Sequence, residues 1–380
     1  MATNNALPQT QRALKIIGPN SVSVFPDAPL PELEPTDILV RVICVSINPV
    51  DGKAADMSPQ PGATSGTDFS GVVVALGLDV ESDDWRKQNN IKPVTIGDRV
   101  FGGVFGNDPL RPHNGAFADY VAVPARLVWH IPKGIDFATA ATMGAAIATV
   151  GLSLFNYLGL PLPSKSRGDN SSSTKPAVLV YGGGTGTGSM AIQVLREAGL
   201  PVITTCSAAS SAHVLQLGAE AWFDYKSPTC GADIREHTND SLAFALDCIT
   251  DTASMGICYE SLGSAGGRYV ALDAFPVRGH TRRSVIPEWI CTPTQFGKAI
   301  RWTPPYDLEP RPYDLKCAEL WYVVAQRLID DGVIAPHPLE KRNGGLAAVP
   351  EGMEAVRRGQ IKGKKIVYTI VDSEPVAVSA

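Results

Sequence analysis

The feature that most constrains the fold of this chain is a glycine-rich run between an apolar stretch and a helical one. Residues 177–181 are continuously apolar, residues 182–188 read Gly-Gly-Gly-Thr-Gly-Thr-Gly, and residues 189–198 have a helical pattern. Glycines let backbone N–H groups approach a phosphate closely, and the following helix directs the positive end of its dipole toward that anion. The run therefore predicts a pyrophosphate-binding turn, against the alternative of a glycine-rich loop that binds nothing.

The sequence after this turn continues to alternate short apolar runs with helical stretches. Apolar runs without polar interruption are typical of parallel strands that are buried on both faces. Further strands are predicted at residues 202–206, 221–223, 244–247 and 269–272, with a second helix at 210–217. This order predicts an α/β fold in which a doubly wound parallel sheet forms a Rossmann domain.

The first third of the chain has a different character, with short apolar runs separated by glycine and proline. Strands are predicted at 38–45, 69–76, 99–101 and 117–123. Several short strands with such spacing suggest a small β-barrel or sandwich.

The middle and the C-terminal tail of the chain contain further predicted helices, a linker and a last strand. Residues 138–158 are apolar and predict one or two buried helices, and the polar residues 163–176 predict a surface loop or linker. In the tail, helices are predicted at 314–331 and 349–358, and a last strand at 365–371.

Charge and cysteine usage narrow the functional classes. The chain has 380 residues, with 33 Lys and Arg against 38 Asp and Glu, and a net charge of −5. Nucleic-acid binding needs clustered positive charge, so we expect no nucleic-acid partner. The seven Cys are scattered without a CxxC pair, which indicates reduced thiols in an intracellular protein. The N-terminus lacks a signal-peptide pattern and no run reaches the length of a bilayer span, so we expect a cytoplasmic protein without a membrane partner.

The end of the second strand after the linker bears on the choice of dinucleotide. Sites for NAD usually place Asp or Glu there to bind the ribose 2′-hydroxyl. In this chain the strand ends Thr205-Cys206-Ser207, followed by Ala208, Ala209 and Ser210. No carboxylate is present to repel a 2′-phosphate and hydroxyls are available to bind one, which favours NADPH, although this loop has no Arg or Lys.

Several motifs give the chain a resemblance to a known superfamily. They are the glycine turn and the runs at 48–51 (Asn-Pro-Val-Asp), 66–71 (Gly-Thr-Asp-Phe-Ser-Gly) and 96–100 (Ile-Gly-Asp-Arg-Val). In this order they resemble the zinc-independent, quinone-reductase-like branch of the medium-chain dehydrogenase/reductase superfamily, over nearly the whole chain. The resemblance implies a GroES-like β-barrel catalytic domain at 1–160, a Rossmann NADPH-binding domain at 161–310, and a C-terminal segment at 311–380 that returns to the catalytic domain.

A narrower resemblance comes from four further runs, at 131–134 (Ile-Pro-Lys-Gly), 158–163 (Leu-Gly-Leu-Pro-Leu-Pro), 245–250 (Ala-Leu-Asp-Cys-Ile-Thr) and 266–270 (Gly-Gly-Arg-Tyr-Val). They are similar to those of trans-acting enoyl reductases, which partner fungal polyketide synthases. This implies NADPH-dependent reduction of an α,β-unsaturated polyketide thioester, presented by the acyl carrier protein of such a synthase. The alternatives are a stand-alone NADPH quinone or enone reductase, and a non-catalytic member that binds NADPH.

The same resemblance bears on metal binding. Zinc alcohol dehydrogenases of the superfamily have a Cys where Asn48 stands, and a His-Glu pair where Thr67 and Asp68 stand. Catalytic zinc takes about three protein ligands, and these positions offer none of the usual ones. We therefore expect no metal.

Two residues are the candidates for catalysis in such a reductase. Enoyl reduction develops negative charge on the thioester oxygen, so the protein needs a donor or cation near that atom. Lys53 ends the motif run 50–53, and its ammonium is the first candidate; the alternative is a solvated lysine on a loop. Thr149 places a hydroxyl in the apolar stretch 145–151; the alternative is a helical threonine that bonds its own backbone.

The resemblance also implies the residues that contact the cofactor and the substrate. The cofactor-binding residues would be Val50, Asp51, Gly52, Lys53, Gly184, Thr185, Gly186, Thr187, Ser207, Ala208, Ala209, Ser210, Tyr225, Leu272, Asp273, Lys362 and Gly363. The substrate-binding residues would be Thr149, Val150, Gly151, Leu152, Ser153, Leu154, Phe155, Asn156, Pro293, Thr294, Gln295, Phe296 and Gly297.

Two groups of basic residues suggest a surface for the carrier protein. They are Arg278, Arg282, Arg283, Lys298 and Arg301, and Arg357, Arg358, Lys362, Lys364 and Lys365. Acyl carrier proteins are acidic, so a basic rim beside the cleft would attract them. The alternative is ordinary solvated surface charge.

Overall fold

The structure is a computed structural model that describes residues 7–164 and 175–371. Of the predicted linker, residues 165–174 lie outside the described part of the chain.

The strands of the described residues form two large sheets and two small two-stranded ones. The strands are β1 (Thr10–Gly18), β2 (Ser21–Pro29), β3 (Asp37–Ser46), β4 (Asp68–Leu76), β5 (Arg99–Gly103), β6 (Tyr120–Pro124), β7 (Trp129–His130), β8 (Val178–Tyr181), β9 (Val202–Cys206), β10 (Ala221–Asp224), β11 (Phe244–Asp247), β12 (Gly267–Ala271), β13 (Val285–Trp289), β14 (Ile300–Arg301), β15 (Asp307–Leu308), β16 (Leu339–Arg342) and β17 (Lys365–Thr369). The helices are α1 (Pro49–Met57), α2 (Trp85–Gln88), α3 (Phe137–Ala141), α4 (Gly144–Gly151), α5 (Gly186–Glu197), α6 (Ser211–Leu217), α7 (Cys230–His237), α8 (Thr252–Ser261), α9 (Pro312–Asp330) and α10 (Val349–Arg357). The two small sheets are β1-β2 and β14-β15.

The parallel sheet confirms the Rossmann prediction. Its order is β10-β9-β8-β11-β12-β13, and every neighbouring pair is parallel. The order reverses direction between β8 and β11, and in such sheets ligands bind at the carboxyl edge beside this reversal. The strands β8, β9 and β11 are almost wholly buried, in agreement with the continuous apolar run of β8 and the mainly apolar or β-branched residues of the other two.

The other large sheet contains the strands predicted in the first third of the chain. Its order is β16-β17-β3-β4-β5-β7, and β6 pairs with the same strand β3. The tail strand β17 pairs antiparallel with β3, with Val367 opposite Ser46. The tail therefore contributes strands to the sheet that the first third begins, whereas the domain boundaries at 160 and 310 stay a prediction.

The apolar stretch before the linker forms one continuous helical run across α3 and α4 that ends in a π-helical segment, Leu152–Tyr157. The expectation that no run reaches the length of a bilayer span is wrong, because Phe137–Tyr157 meets that length with a mean hydropathy of 1.6. However, 83% of the most apolar 18-residue window of this run is buried inside the protein. The run therefore serves as a core helix that packs against the parallel sheet.

Several elements were not predicted from the sequence. The hairpin β1–β2 has a half-exposed second strand with two prolines near its end, so it does not read as apolar. Helix α1 holds Pro49, Asp51 and Gly52, which are poor helix formers. Strand β13 contains Pro287, which is tolerated because this strand lies at the sheet edge.

Candidate active site

The first turn of α1 is tied to strand β4 by buried polar side chains. The backbone N–H of Asn48 donates to Asp51 Oδ2 at 2.7 Å, and the Thr67 hydroxyl donates to Asp51 Oδ1 at 2.9 Å. Burial raises the pKa of Asp51 to about 7, despite these two donors. Asp51 therefore fixes the start of the helix that carries Lys53, and its side chain faces the protein interior.

A lysine ammonium occupies the centre of this network. Lys365 Nζ donates to Asn48 Oδ1 at 2.9 Å, to Asp68 Oδ2 and to the Thr142 carbonyl at 3.2 Å. Asn48 Nδ2 also donates to Asp68 Oδ2, at 2.9 Å. The Lys365 side chain is 9% exposed and that of Asp68 is fully buried, so this is an internal ion pair.

Lys53 extends from the other side of α1 toward the parallel sheet. Its ammonium lies 3.2 Å from Asp273 Oδ2, just beyond the carboxyl end of β12. The other carboxylate oxygen of Asp273 accepts from the Tyr306 hydroxyl at 2.6 Å. Two residues predicted to contact the cofactor, one on α1 and one after β12, are thus in direct contact.

The glycine turn has the geometry that a pyrophosphate site needs. Thr185 caps α5 by accepting from the Gly188 N–H at 3.0 Å and donating to the Gly182 carbonyl at 2.8 Å. A Cβ added at Gly183 would lie 2.2 Å from Thr204 Oγ1, and one at Gly188 would lie 2.2 Å from the Gly182 oxygen. Only glycine fits at these two positions. Helix α5 begins at Gly186 rather than at Ser189, so its unpaired first-turn N–H groups belong to the turn itself.

The predicted adenosine-phosphate loop lies beside this turn. A Cβ at Gly184 would be 3.0 Å from Ser210 Oγ, and Ser207 Oγ lies 3.4 Å from Ser210 Oγ. Tyr225 is exposed and follows β10, whose last residue pairs with Cys206 at the same sheet edge. These contacts form an open cradle of N–H and hydroxyl groups, with the Asp224 carboxylate at the end of the neighbouring strand β10. The N–H and hydroxyl donors fit the phosphates of a dinucleotide.

The two predicted substrate segments meet in front of helix α9. Thr149 Oγ1 lies 3.3 Å from Thr292 Oγ1, so in the described structure its hydroxyl contacts the residue just before the second segment rather than its own helix backbone. The buried Asp314 accepts from Asn156 Nδ2 at 2.8 Å, from Thr294 Oγ1 at 2.6 Å and from the Tyr157 hydroxyl at 3.1 Å. The π-helical turn that provides part of this wall is a type of distortion often found at functional sites.

The predicted basic rim is wrong for several of its members. Arg282 donates to the carbonyls of Tyr259, Leu262 and Gly263, at the C-terminal end of α8. That end precedes β12 and so lies at the amino edge of the sheet, away from the glycine turn.

Several other members of the two basic groups form ion pairs with carboxylates, which supports the alternative of ordinary solvated surface charge. Lys365 is buried, and the other paired members are Lys298 with Glu34, Arg301 with Asp307 and Glu309, Arg357 with Asp56 and Glu354, and Arg358 with Glu354.

Comparisons with known proteins agree with this geometry. Residues 34–133 match the alcohol dehydrogenase GroES-like domain, and residues 186–285 match the domain described as zinc-binding dehydrogenase. The trans-enoyl reductase iliB of Hypocrea jecorina is 81% identical over the full length of both chains. Trans-enoyl reductase iccB of Talaromyces variabilis is 69% identical, covering 96% of this chain and 97% of its own. The chain belongs to the trans-enoyl reductases.

Solved structures support the same fold. An alcohol dehydrogenase superfamily protein from Novosphingobium aromaticivorans superimposes with a TM-score of 0.70 at 21% identity, covering 95% of this trans-enoyl reductase and all of that chain. The quinone oxidoreductase from Coxiella burnetii gives a TM-score of 0.65 at 20% identity, over 95% and 99% of the two chains. The predicted GroES-like and Rossmann fold and the superfamily are confirmed.

The zinc of the matched domain description does not fit this trans-enoyl reductase. The positions of the metal ligands hold Asn48, Thr67 and Asp68, and the Lys365 ammonium already bonds two of them. Within residues 7–164 and 175–371, no three His, Cys, Asp or Glu side chains are grouped as metal ligands. That the reaction needs no metal stays a prediction.

Three residues of this site were missed by sequence reasoning. Tyr306 and Asp314 lie in stretches without a motif, and Lys365 was included only in a surface basic group. Conversely, Lys362 and Gly363 occupy an exposed turn before β17, and their contact with the cofactor stays a prediction.

Proposed function

We propose that this protein uses NADPH to reduce an α,β-unsaturated polyketide thioester, bound to the acyl carrier protein of a polyketide synthase in the cytoplasm. The observation that carries the proposal is the contact of Lys53 with Asp273, because it places an ammonium where the barrel helix meets the carboxyl edge of the Rossmann sheet. The names of the relatives support the reaction and the partner.

The cradle of the glycine turn and residues 207–210 would hold the phosphates, with Leu272 and Asp273 beside the nicotinamide. The absence of a carboxylate after β9 supports NADPH over NADH. When bound, NADPH supplies the hydride that adds to the β-carbon of the acyl chain.

The chain's own residues would then stabilise charge and exclude water. The Lys53 ammonium would donate an N–H to the thioester oxygen as negative charge develops there. The Thr149 hydroxyl, held beside Thr292, would orient the thioester, and the apolar residues of the π-helical segment would keep water out. We assign no residue as the source of the α-carbon proton.

Turnover with defined thioesters tests this proposal. NADPH oxidation is followed with enoyl pantetheine thioesters of increasing length and with the same acyl groups on a carrier protein, with NADH as the control. We expect NADPH to be preferred, and Lys53→Ala to lower kcat by about a hundredfold because it removes charge stabilisation in the transition state.

The alternatives give different results in the same assay. Small quinones or enones reduced as efficiently as carrier-bound thioesters would indicate a stand-alone reductase. Tight binding of NADPH without hydride transfer to any thioester would indicate a non-catalytic protein.

A further inference from the structure

The carboxylate that holds Lys53 has a second donor with no assigned role. Lys53 Nζ donates to one oxygen of Asp273 at 3.2 Å, and the Tyr306 hydroxyl donates to the other at 2.6 Å. We propose that Tyr306 is a positioning residue, which fixes the Lys53 ammonium in the crevice by orienting the Asp273 carboxylate. This inference rests on the proposed function, in which Lys53 stabilises the developing charge.

The Lys53–Asp273 pair alone would hold the ammonium only weakly. The Lys53 side chain is 52% exposed and that of Asp273 is 24% exposed. Partly exposed ion pairs gain little, because water screens them and a long lysine side chain loses conformational freedom when it is fixed. The other oxygen also accepts from the Ala274 N–H at 2.9 Å, and the Tyr306 hydroxyl as its second donor fixes the plane of the carboxylate. This defines where the ammonium rests.

Tyr306 is itself held firmly by aromatic neighbours. It lies between β14 and β15, and its ring packs edge-on against Trp289 at 5.5 Å and Trp302 at 6.4 Å between centroids. Trp302 packs against Phe105 and donates its indole N–H to the Asn107 carbonyl at 2.8 Å. The tyrosine therefore has contacts to β13 of the parallel sheet and, through Trp302, to the residues after β5.

The electrostatics agree with a donor role for the phenol. Burial, with a further contribution from the Asp273 carboxylate, raises the pKa of Tyr306 well above its usual value. The hydroxyl therefore keeps its proton at neutral pH and remains available to Asp273.

The variant Tyr306→Phe tests the proposal because it keeps the ring and removes only the hydroxyl. Tyr313→Phe, in an exposed position, is the matched control. We expect Tyr306→Phe to lower kcat with an enoyl pantetheine thioester by about tenfold, with unchanged Kd for NADPH and only a small fall in Tm from the lost hydrogen bond. In a Lys53→Ala background the same substitution is expected to have no further effect, because the residue it positions is gone.

A second measurement needs no turnover. The free protein is treated briefly with an acylating reagent, and labelling of Lys53 is compared with that of the exposed Lys133 by mass spectrometry. Both Tyr306→Phe and Asp273→Asn are expected to raise the labelling of Lys53 relative to Lys133, because the ammonium is released from its carboxylate.

The outcomes separate this inference from the proposed function. An equal loss of kcat in the wild-type and Lys53→Ala backgrounds, or unchanged labelling of Lys53, would overturn the role of Tyr306. Absence of turnover in the wild-type protein would overturn the proposed function instead, and raised labelling in Tyr306→Phe would still support the positioning of Lys53.

Discussion

The Lys365 ammonium lies at the centre of the candidate site. In a zinc enzyme of this superfamily a metal ion joins the positions of Asn48, Thr67 and Asp68, whereas here an ammonium bonds Asn48 and Asp68. The lysine stem also lies against the glycine turn, since a Cβ at Gly186 would be 3.6 Å from Lys365 Cδ. A single buried cation therefore joins α1, β4, β17 and the turn that precedes α5.

Removing the Lys365 ammonium should lower the stability of the folded protein. We predict that Lys365→Met lowers the free energy of unfolding by about 3–5 kcal/mol, because it leaves the buried Asp68 carboxylate without its counter-charge. Lys341→Met is the control, since its pair with Asp136 is more than half exposed on both sides and should cost less than about 1 kcal/mol. Urea denaturation of both variants measures the difference.

A compensating substitution makes this prediction specific. Adding Asp68→Asn to Lys365→Met should recover part of the stability, because it removes the unpaired charge. Similar small losses for the Lys365 and Lys341 variants would show that the internal ion pair contributes little.

Among the elements, α9 organises the region predicted to bind substrate. Its first turn carries Asp314, which accepts hydrogen bonds from both predicted segments. Farther along, Trp321 donates to the Ile147 carbonyl at 2.8 Å and packs so closely that a Cβ at Gly151 would be 1.9 Å from its ring. The helix therefore fixes the relative position of the two walls.

The effect of this helix can be tested at its first turn. We predict that Asp314→Asn raises KM for enoyl thioesters several-fold with little change in kcat, because the walls lose charge-assisted bonds and shift, while Lys53 is untouched. The unfolding free energy should fall by about 1–3 kcal/mol. Asp331→Asn, exposed beyond the end of α9, is the control. A fall in kcat at constant KM would contradict this assignment.

The strands and helices differ in how well they could be predicted from the sequence. Strands β9 and β11 were predicted with the bounds observed, because strands buried on both faces are built mainly from apolar and β-branched residues. Helix α1 was missed because Asp51 and Gly52 lower its helix propensity, although its cap is local, with Asn48 at the N-cap and Asp51 reaching back to it.

The site was predicted only where residues belong to a motif. The contacts Lys53–Asp273, Asn48–Lys365 and Asn156–Asp314 join residues 220, 317 and 158 positions apart. Local periodicity reports only neighbours within a strand or helical turn, so it gives no signal for such pairs.

For the whole molecule, the pH dependence of folding stability should reflect titratable groups that are buried in an uncharged form. Burial lowers the pKa of both His130 and His337 to about 4, below the usual value of about 6.5. Between these pH values the unfolded chain binds protons that the folded chain does not, so both histidines reduce stability as pH falls from about 6.5 to about 4. Asp51, whose pKa is raised, acts in the opposite direction and reduces stability as pH rises from about 4 to about 7.

His337 allows this balance to be tested at one position. It is 7% exposed, and it faces Lys365 and His213, whose positive charge would further oppose its protonation. We predict that the wild-type protein loses on the order of 2 kcal/mol from this residue between pH 7 and pH 5, and that His337→Asn removes this part of the slope. Urea unfolding at a series of pH values measures the slope, with His237→Asn at an exposed position as the control. If His337→Asn and His237→Asn leave the same slope as the wild-type protein, then His337 must be protonated in the folded state without penalty, and its buried site near Lys365 would have to open at acidic pH.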